Sequence, residues 1–141
     1  MSGIVGNTVG FYAVPSRVPA KPDVSSRTGH SATRIHDAVY VFGGLLDGYC
    51  TDELTALDLG TQRWMPIRPS KEGGASPPAR LGHAACAVEE VGEVWLFGGG
   101  DGRALLGDLW VLDVPPGRPT AATWRGAASR TESSAATRRS R

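Results

Sequence analysis

Cysteine is scarce in this chain of 141 residues, which holds only Cys50 and Cys86. Two cysteines close at most one bridge and do not make a disulfide framework, so a reduced intracellular setting, cytoplasmic or nuclear, is expected. Long hydrophobic runs are also missing. No stretch approaches the ~18 apolar residues that cross a bilayer, and Met1–Gly10 lacks the basic start and apolar stretch of a secretory signal. No membrane partner is expected. Helical periodicity is absent too, because 19 Gly and 10 Pro interrupt every window. Nor does one sign of charge prevail: 15 Lys and Arg stand against 14 Asp and Glu, a net of +1. That balance hides an asymmetry. Residues 125–141 carry five Arg against Glu132, a net of +4, which leaves −3 for the other residues. A mildly acidic body with a basic tail is not the footprint of a nucleic-acid binder.

What is present is an ordinary globular composition, 40% apolar and 21% charged, in a length that suits one small domain. This excludes collagen-like and wholly disordered chains. The chain also repeats itself. Arg80-Leu81-Gly82-His83-Ala84-Ala85 answers Arg27-Thr28-Gly29-His30-Ser31-Ala32, and Val94-Trp95-Leu96-Phe97-Gly98-Gly99 answers Val39-Tyr40-Val41-Phe42-Gly43-Gly44. Asp108-Leu109-Trp110-Val111-Leu112-Asp113 answers Glu53-Leu54-Thr55-Ala56-Leu57-Asp58, and Trp124 answers Trp64. The offset is 53 in the first block, 55 in the next two and 60 at the tryptophan, changing only between blocks. Loops tolerate insertions of that kind and strands do not. Phe11 stands 16 residues before Arg27 and 19 before His30, the distances that separate Trp64 from Arg80 and His83. Thr8–Val14 therefore reads as the last strand of a preceding unit.

Each unit reads as four short strands. In the first they are His30–Ile35, Ala38–Phe42, Glu53–Leu59 and Arg63–Ile67. In the second they are His83–Val88, Glu93–Phe97, Asp108–Val114 and an ill-defined segment around Trp124. The motif of Arg-x-Gly-His, an apolar run ending in Gly-Gly, Asp/Glu-Leu-x-x-Leu-Asp and Trp resembles the kelch repeat. That resemblance implies an all-β fold, a partial β-propeller of two four-stranded antiparallel blades with an extra N-terminal strand and a disordered C-terminal tail. The implied boundaries are residues 1–24 for the N-terminal segment, 25–70 and 78–124 for the repeats, and 125–141 for the tail. The stretch Lys71–Pro78 between the repeats is a loop. A propeller closes with roughly four to eight blades, and repeat arrays draw stability from neighbours. The chain is thus expected to be a fragment of a larger propeller, or to be completed by self-association or by further blades.

Several residues invite a chemical reading and receive a structural one. His30 and His83 recur one repeat apart, with no Cys or carboxylate at ligand spacing, so they are expected to pack and hydrogen-bond near the start of the first strand. His36 sits in a tight turn and is expected to face solvent. Gly98-Gly99-Gly100 looks like a phosphate cradle, but a strand follows where a helix N-terminus is needed. These glycines, like Gly43 and Gly44, are instead the backbone freedom of the repeat. Asp58 and Asp113 are expected to cap turns. Tyr40, Trp64, Trp95 and Trp124 are expected to pack, Cys86 to fill a buried strand, and Cys50 to be an exposed loop thiol. No metal or cofactor is expected.

Loops on a rigid scaffold carry recognition. In a four-stranded meander, those joining strands two and three share one end with those joining successive blades. These are Pro15–Ser26, Leu45–Thr51, Arg68–Ala79 and Asp101–Gly107. The candidate partner-binding residues are Leu45, Leu46, Asp47, Tyr49, Arg68, Lys71, Asp101, Arg103, Leu105 and Leu106, a mixture of apolar, aromatic and charged groups that suits a protein interface. The reading is a non-enzymatic adaptor that binds a protein or peptide. The alternative is a fragment of a kelch-type propeller enzyme, an oxidase or a metal-dependent specifier protein.

Overall fold

A computed structural model describes residues 26–127. The expected strand at Thr8–Val14, the loop before Ser26 and the tail beyond Ala127 lie outside these residues. The first sheet comprises β1 (Ser31–Ile35), β2 (Ala38–Phe42), β5 (Leu54–Asp58) and β6 (Arg63–Ile67) in the order β1-β2-β5-β6. All its pairings are antiparallel. Between β2 and β5 a small hairpin forms from β3 (Leu45–Leu46) and β4 (Tyr49–Cys50). The second sheet comprises β7 (Ser70–Lys71), β8 (Ala84–Val88), β9 (Glu93–Phe97), β10 (Leu109–Asp113) and β11 (Thr123–Gly126), in the order β7-β11-β10-β9-β8. Short 3₁₀ turns occupy Glu72–Gly74, Glu89–Val91 and Pro119–Ala121.

The two meanders superpose in register. Phe42 lies opposite Ser31 and Leu54, and Phe97 lies opposite Ala84 and Leu109. Their loop hydrogen bonds repeat as well. Leu59 N–H donates to the Asp37 carbonyl at 2.9 Å, and Val114 N–H donates to the Gly92 carbonyl at 2.8 Å.

The core lies between the sheets. Alternate residues of a strand face one side. Ile35, Tyr40, Phe42, Leu54, Ala56 and Ile67 therefore form one surface, buried against Val94, Leu96, Leu112, Val114 and Trp124 of the second sheet. Trp124 meets Phe42 edge-on, with ring centroids 5.4 Å apart. Burial of each such large side chain contributes about 1.5–3 kcal/mol, so most of the apolar stabilisation comes from stacking one meander on the other.

The structure corrects several expectations. The expected loop Lys71–Pro78 begins in a strand: Ser70–Lys71 runs parallel to Thr123-Trp124 on the outer edge of the second sheet. The last strand extends past Trp124, so Arg125 and Gly126 belong to β11 and not to a tail. Arg125 is buried because it pairs with Glu93 at 2.7 Å and Asp113 at 2.8 Å. Asp113 is thus an ion-pair partner and not a turn cap. Asp58 does cap its turn, accepting from the N–H groups of Gly60 and Thr61. Those bonds, Thr61's foremost, hold its carboxyl below the usual range. His36 is half-buried, in the left-handed region at φ 53°. Its Nε2 donates to the Val114 carbonyl at 3.0 Å and so ties the first sheet's turn to the second. Cys86 is exposed, because it occupies the outer side of β8, while Cys50 is half-buried on β4.

Candidate partner-binding face

The loop face is built on the Arg-x-Gly-His segment. Arg80 is fully buried. Its guanidinium grips Asp108 with two bonds of 2.6 and 2.7 Å, donates to the Gly98 carbonyl at 3.0 Å and to the Pro78 carbonyl at 3.1 Å. The bond from Arg80 draws the Asp108 carboxyl down to about 2. Trp110 Nε1 adds a donor to the same carboxylate. In the first blade, Arg27 reaches the Gly43 carbonyl and Glu53, both at 3.3 Å. The repeated arginine therefore pins the entry of its own blade to the glycine pair and to the acid that opens the third strand. Sequence reasoning placed these acids in the motif without finding the arginine as their partner. A signal was present, since Arg and acid recur together in both units.

The glycine pair receives the next blade. Gly43 and Gly44 have φ of 66° and 98°, where only glycine is at ease. Gly44 N–H donates to the Arg80 carbonyl at 2.8 Å, and a Cβ on Gly43 would stand 2.8 Å from that oxygen. His83 follows into the interface. It is buried, its Nε2 lies 2.9 Å from Ser31 Oγ, and its ring meets Phe42 edge-on at 5.4 Å. Burial, helped by the charge of Arg80, pushes the His83 pKa below its ordinary value. His30, its counterpart, is exposed. Trp124 is buried, while Trp64 is half-buried. Tyr40 is buried, and burial raises its hydroxyl to about 12. Trp95 is half-buried and donates to Glu93 at 2.9 Å.

Above this frame the predicted loop residues divide into two groups. Leu46, Asp47, Arg68 and Lys71 line one cleft of about 800 Å³, together with Asp52, Glu53, Pro77 and Trp124. Three carboxylates and two cations thus face the same space. Arg103, Leu105 and Leu106 line a second, more apolar hollow of about 760 Å³, with Leu81, Phe97 and the Gly98–Gly100 backbone. Leu45, Tyr49 and Asp101 line neither. Leu45 is half-buried and bridges to Thr28. Tyr49 is 79% exposed at the hairpin. Asp101 accepts from the N–H groups of Ala104 and Arg103, which lower its pKa. The sequence reading missed the hairpin and with it Asp52 and Glu53 at the cleft. Asp47-Gly48 was the available signal, for both residues take positive φ, 50° and 86°, as a two-residue hairpin turn requires.

Among the described residues, no group of three His, Cys, Asp or Glu could hold a metal ion, and no helix is long and apolar enough to cross a membrane.

Two antiparallel meanders of four strands, β1-β2-β5-β6 and β8-β9-β10-β11, the second with β7 added at its edge, stacked face to face, are blades of a β-propeller. The KLHDC2/KLHL20/DRC7 Kelch-repeats domain matches residues 14–140, and this chain belongs to that kelch-repeat family. It is 37% identical over 91 residues to the dynein regulatory complex subunit 7 of Chlamydomonas reinhardtii, a match covering 62% of this chain and 8% of that protein. It is 34% identical over 114 residues to the Kelch domain-containing protein 3 of Rattus norvegicus, covering 79% and 27%. It is 30% identical over 139 residues to the host cell factor of Drosophila melanogaster, covering 81% and 9%. The chain thus spans about a quarter or less of the length of these relatives.

Proposed function

We propose that this chain is a non-enzymatic, intracellular interaction module that binds a protein or peptide through its long-loop face, as one part of a larger propeller. The observation that carries this reading is the cleft beside the hairpin. Four of the ten loop residues selected from sequence line it, and they offer one half-buried leucine and charges of both signs. An apolar anchor ringed by polar groups is the usual anatomy of a recognition site. The relatives support protein partners, because one of them is named as a subunit of a regulatory complex. A cytoplasmic or nuclear setting is part of this reading, since a chain with only two cysteines suits a reducing compartment.

The test is selection of peptides from a random library on the immobilised chain, followed by titration of the best binder. Arg68→Ser with Lys71→Ser should weaken that binder by about tenfold, roughly 1.4 kcal/mol. Gln62→Ala and Glu90→Ala, at the opposite end of the strands, should leave it unchanged. Loss of binding with the second pair alone would place recognition at the other end.

A further inference from the structure

The segment that leaves the first blade carries a serine between the two cations of the charged cleft. We propose that Ser70 is a phosphorylation site, modified by a protein kinase that reads basic residues, and that its phosphate occupies Arg68 and Lys71 in place of a partner. Arg68-Pro69-Ser70-Lys71 sets one cation two residues before the hydroxyl and another directly after it. A substrate groove lined with carboxylates pairs with such cations. Arg68, Ser70 and Lys71 are all exposed. Neither cation is ion-paired among the described residues, so both are available, first to a kinase and then to the phosphate.

Backbone shape singles out this serine. In-line phosphoryl transfer aligns the acceptor hydroxyl with the γ-phosphate, which requires a segment that lies extended across the kinase groove. β7 already has that shape. It is the outermost strand of its sheet, paired with β11 on one side, where Ser70 N–H donates to the Ala122 carbonyl at 3.0 Å. The chain holds a second triplet of the same kind, Arg118-Pro119-Thr120. Arg118 and Thr120 are exposed as well, so composition and access do not separate the two triplets. Conformation does. Thr120 lies within the 3₁₀ turn Pro119–Ala121, closed by Ala121 N–H donating to the Arg118 carbonyl at 3.0 Å. That turn has to open before the threonine fits a groove, and the opening cost slows its modification.

The reaction moves the γ-phosphoryl group of ATP to Ser70 Oγ. A new O–P bond replaces the bond to the β-phosphate oxygen, ADP leaves, and the hydroxyl proton passes to the kinase's base. The consequence is electrostatic. The cleft has three carboxylates, Asp47, Asp52 and Glu53, against Arg68 and Lys71, a net of −1. A phosphoserine adds a charge of about −2 and three acceptor oxygens, so the cleft becomes strongly anionic and its two cations acquire a partner inside the chain. The effect on binding rests on the function proposed above, whereas the modification and its ion pairs do not.

The experiment treats the full 141-residue chain with the catalytic subunit of a basic-directed serine/threonine kinase and Mg-ATP, and follows each site by mass spectrometry. Ser70 should be modified at least about tenfold faster than Thr120, and Arg68→Gln should slow Ser70 about as much, each equivalent to the loss of one good contact. A phosphoserine loses its second proton near pH 6, and neighbouring cations lower that value. Titration by ³¹P resonance should therefore place it lower in the wild type than in Lys71→Gln. An unmodified Ser70, a Thr120 that keeps pace, or identical titrations in the two chains overturns the proposal. The modified chain should also bind the library-selected peptide about tenfold more weakly. Unchanged binding by a chain that passes the first two measurements would count against the cleft as the recognition site and leave the phosphorylation site standing.

Discussion

The two blades share a motif, a register and a set of loop hydrogen bonds, yet the same residue does different work in each. Phe42 lies under two aromatic rings of the next blade, while Phe97 lies at a surface. The kelch repeat encodes a wedge with two complementary sides, and burial is a property of the junction, not of the residue. This comparison breaks most sharply by truncation. Phe42→Ala should cost about 3–5 kcal/mol of folding stability, the usual range for removing a buried aromatic. Phe97→Ala in the dilute monomer should cost less than about 1 kcal/mol. Denaturant midpoints for the two variants measure the difference, and equal losses would mean that the blades do not stack as described.

The arginine pins sharpen the same contrast. Arg80 is fully buried and makes a two-pronged bond to Asp108, whose side chain is 37% exposed, while the equally buried Arg27 side chain meets the longer and more exposed Glu53 at 3.3 Å. Leaving hydrogen-bonded partners without their donor costs about 1–3 kcal/mol, so Arg80→Ala should destabilise, and Arg27→Ala less, because its carboxylate partner is the more exposed. Arg80→Lys keeps the charge but loses the planar fork, and it should restore only part of the loss. Full recovery with lysine would show that charge alone pins the segment. A cross-check is the Asp108 carboxyl. Its folded value is depressed to about 2, so its contribution is present above the ordinary carboxylate value and is lost as the pH falls toward 2.

Most of the fold was legible in the sequence because a twofold repeat supplies its own control. Strand positions Ala38–Phe42 and Glu93–Phe97 follow directly from β-branched and aromatic runs stopped by turns, and Arg63–Ile67 from the recurring tryptophan. Propensity within a repeat does not report which side of a strand meets a neighbour. Cys86 was therefore placed inside, although it projects from the exposed side of β8. Long-range pairing was equally hidden. Nothing local to Ser70-Lys71 announces a parallel partner more than fifty residues later in the chain, and Arg125 looks like a tail residue until Glu93 and Asp113 come within reach. At the candidate site, the loops were legible from topology. Their grouping into a charged cleft and an apolar hollow depends on how the hairpin and β7 fold, which composition does not specify.

The smallest expected effect concerns the histidine that occupies the junction. His83 is buried against Phe42 and beside the Arg80 charge, and its folded pKa lies below the ordinary 6.5. The unfolded chain therefore binds more protons than the folded one in mildly acid solution, and stability falls as pH falls. The contribution is complete above 6.5 and is lost as the pH drops through the lower folded value. Denaturant midpoints measured from pH 8 to pH 5 should decline for the wild type. The decline should be shallower for His83→Gln, which keeps a polar group toward Ser31 but cannot titrate. Parallel profiles for the wild type and His83→Gln would remove the junction histidine from the pH response and show that its ring is solvated whether or not the blades are stacked.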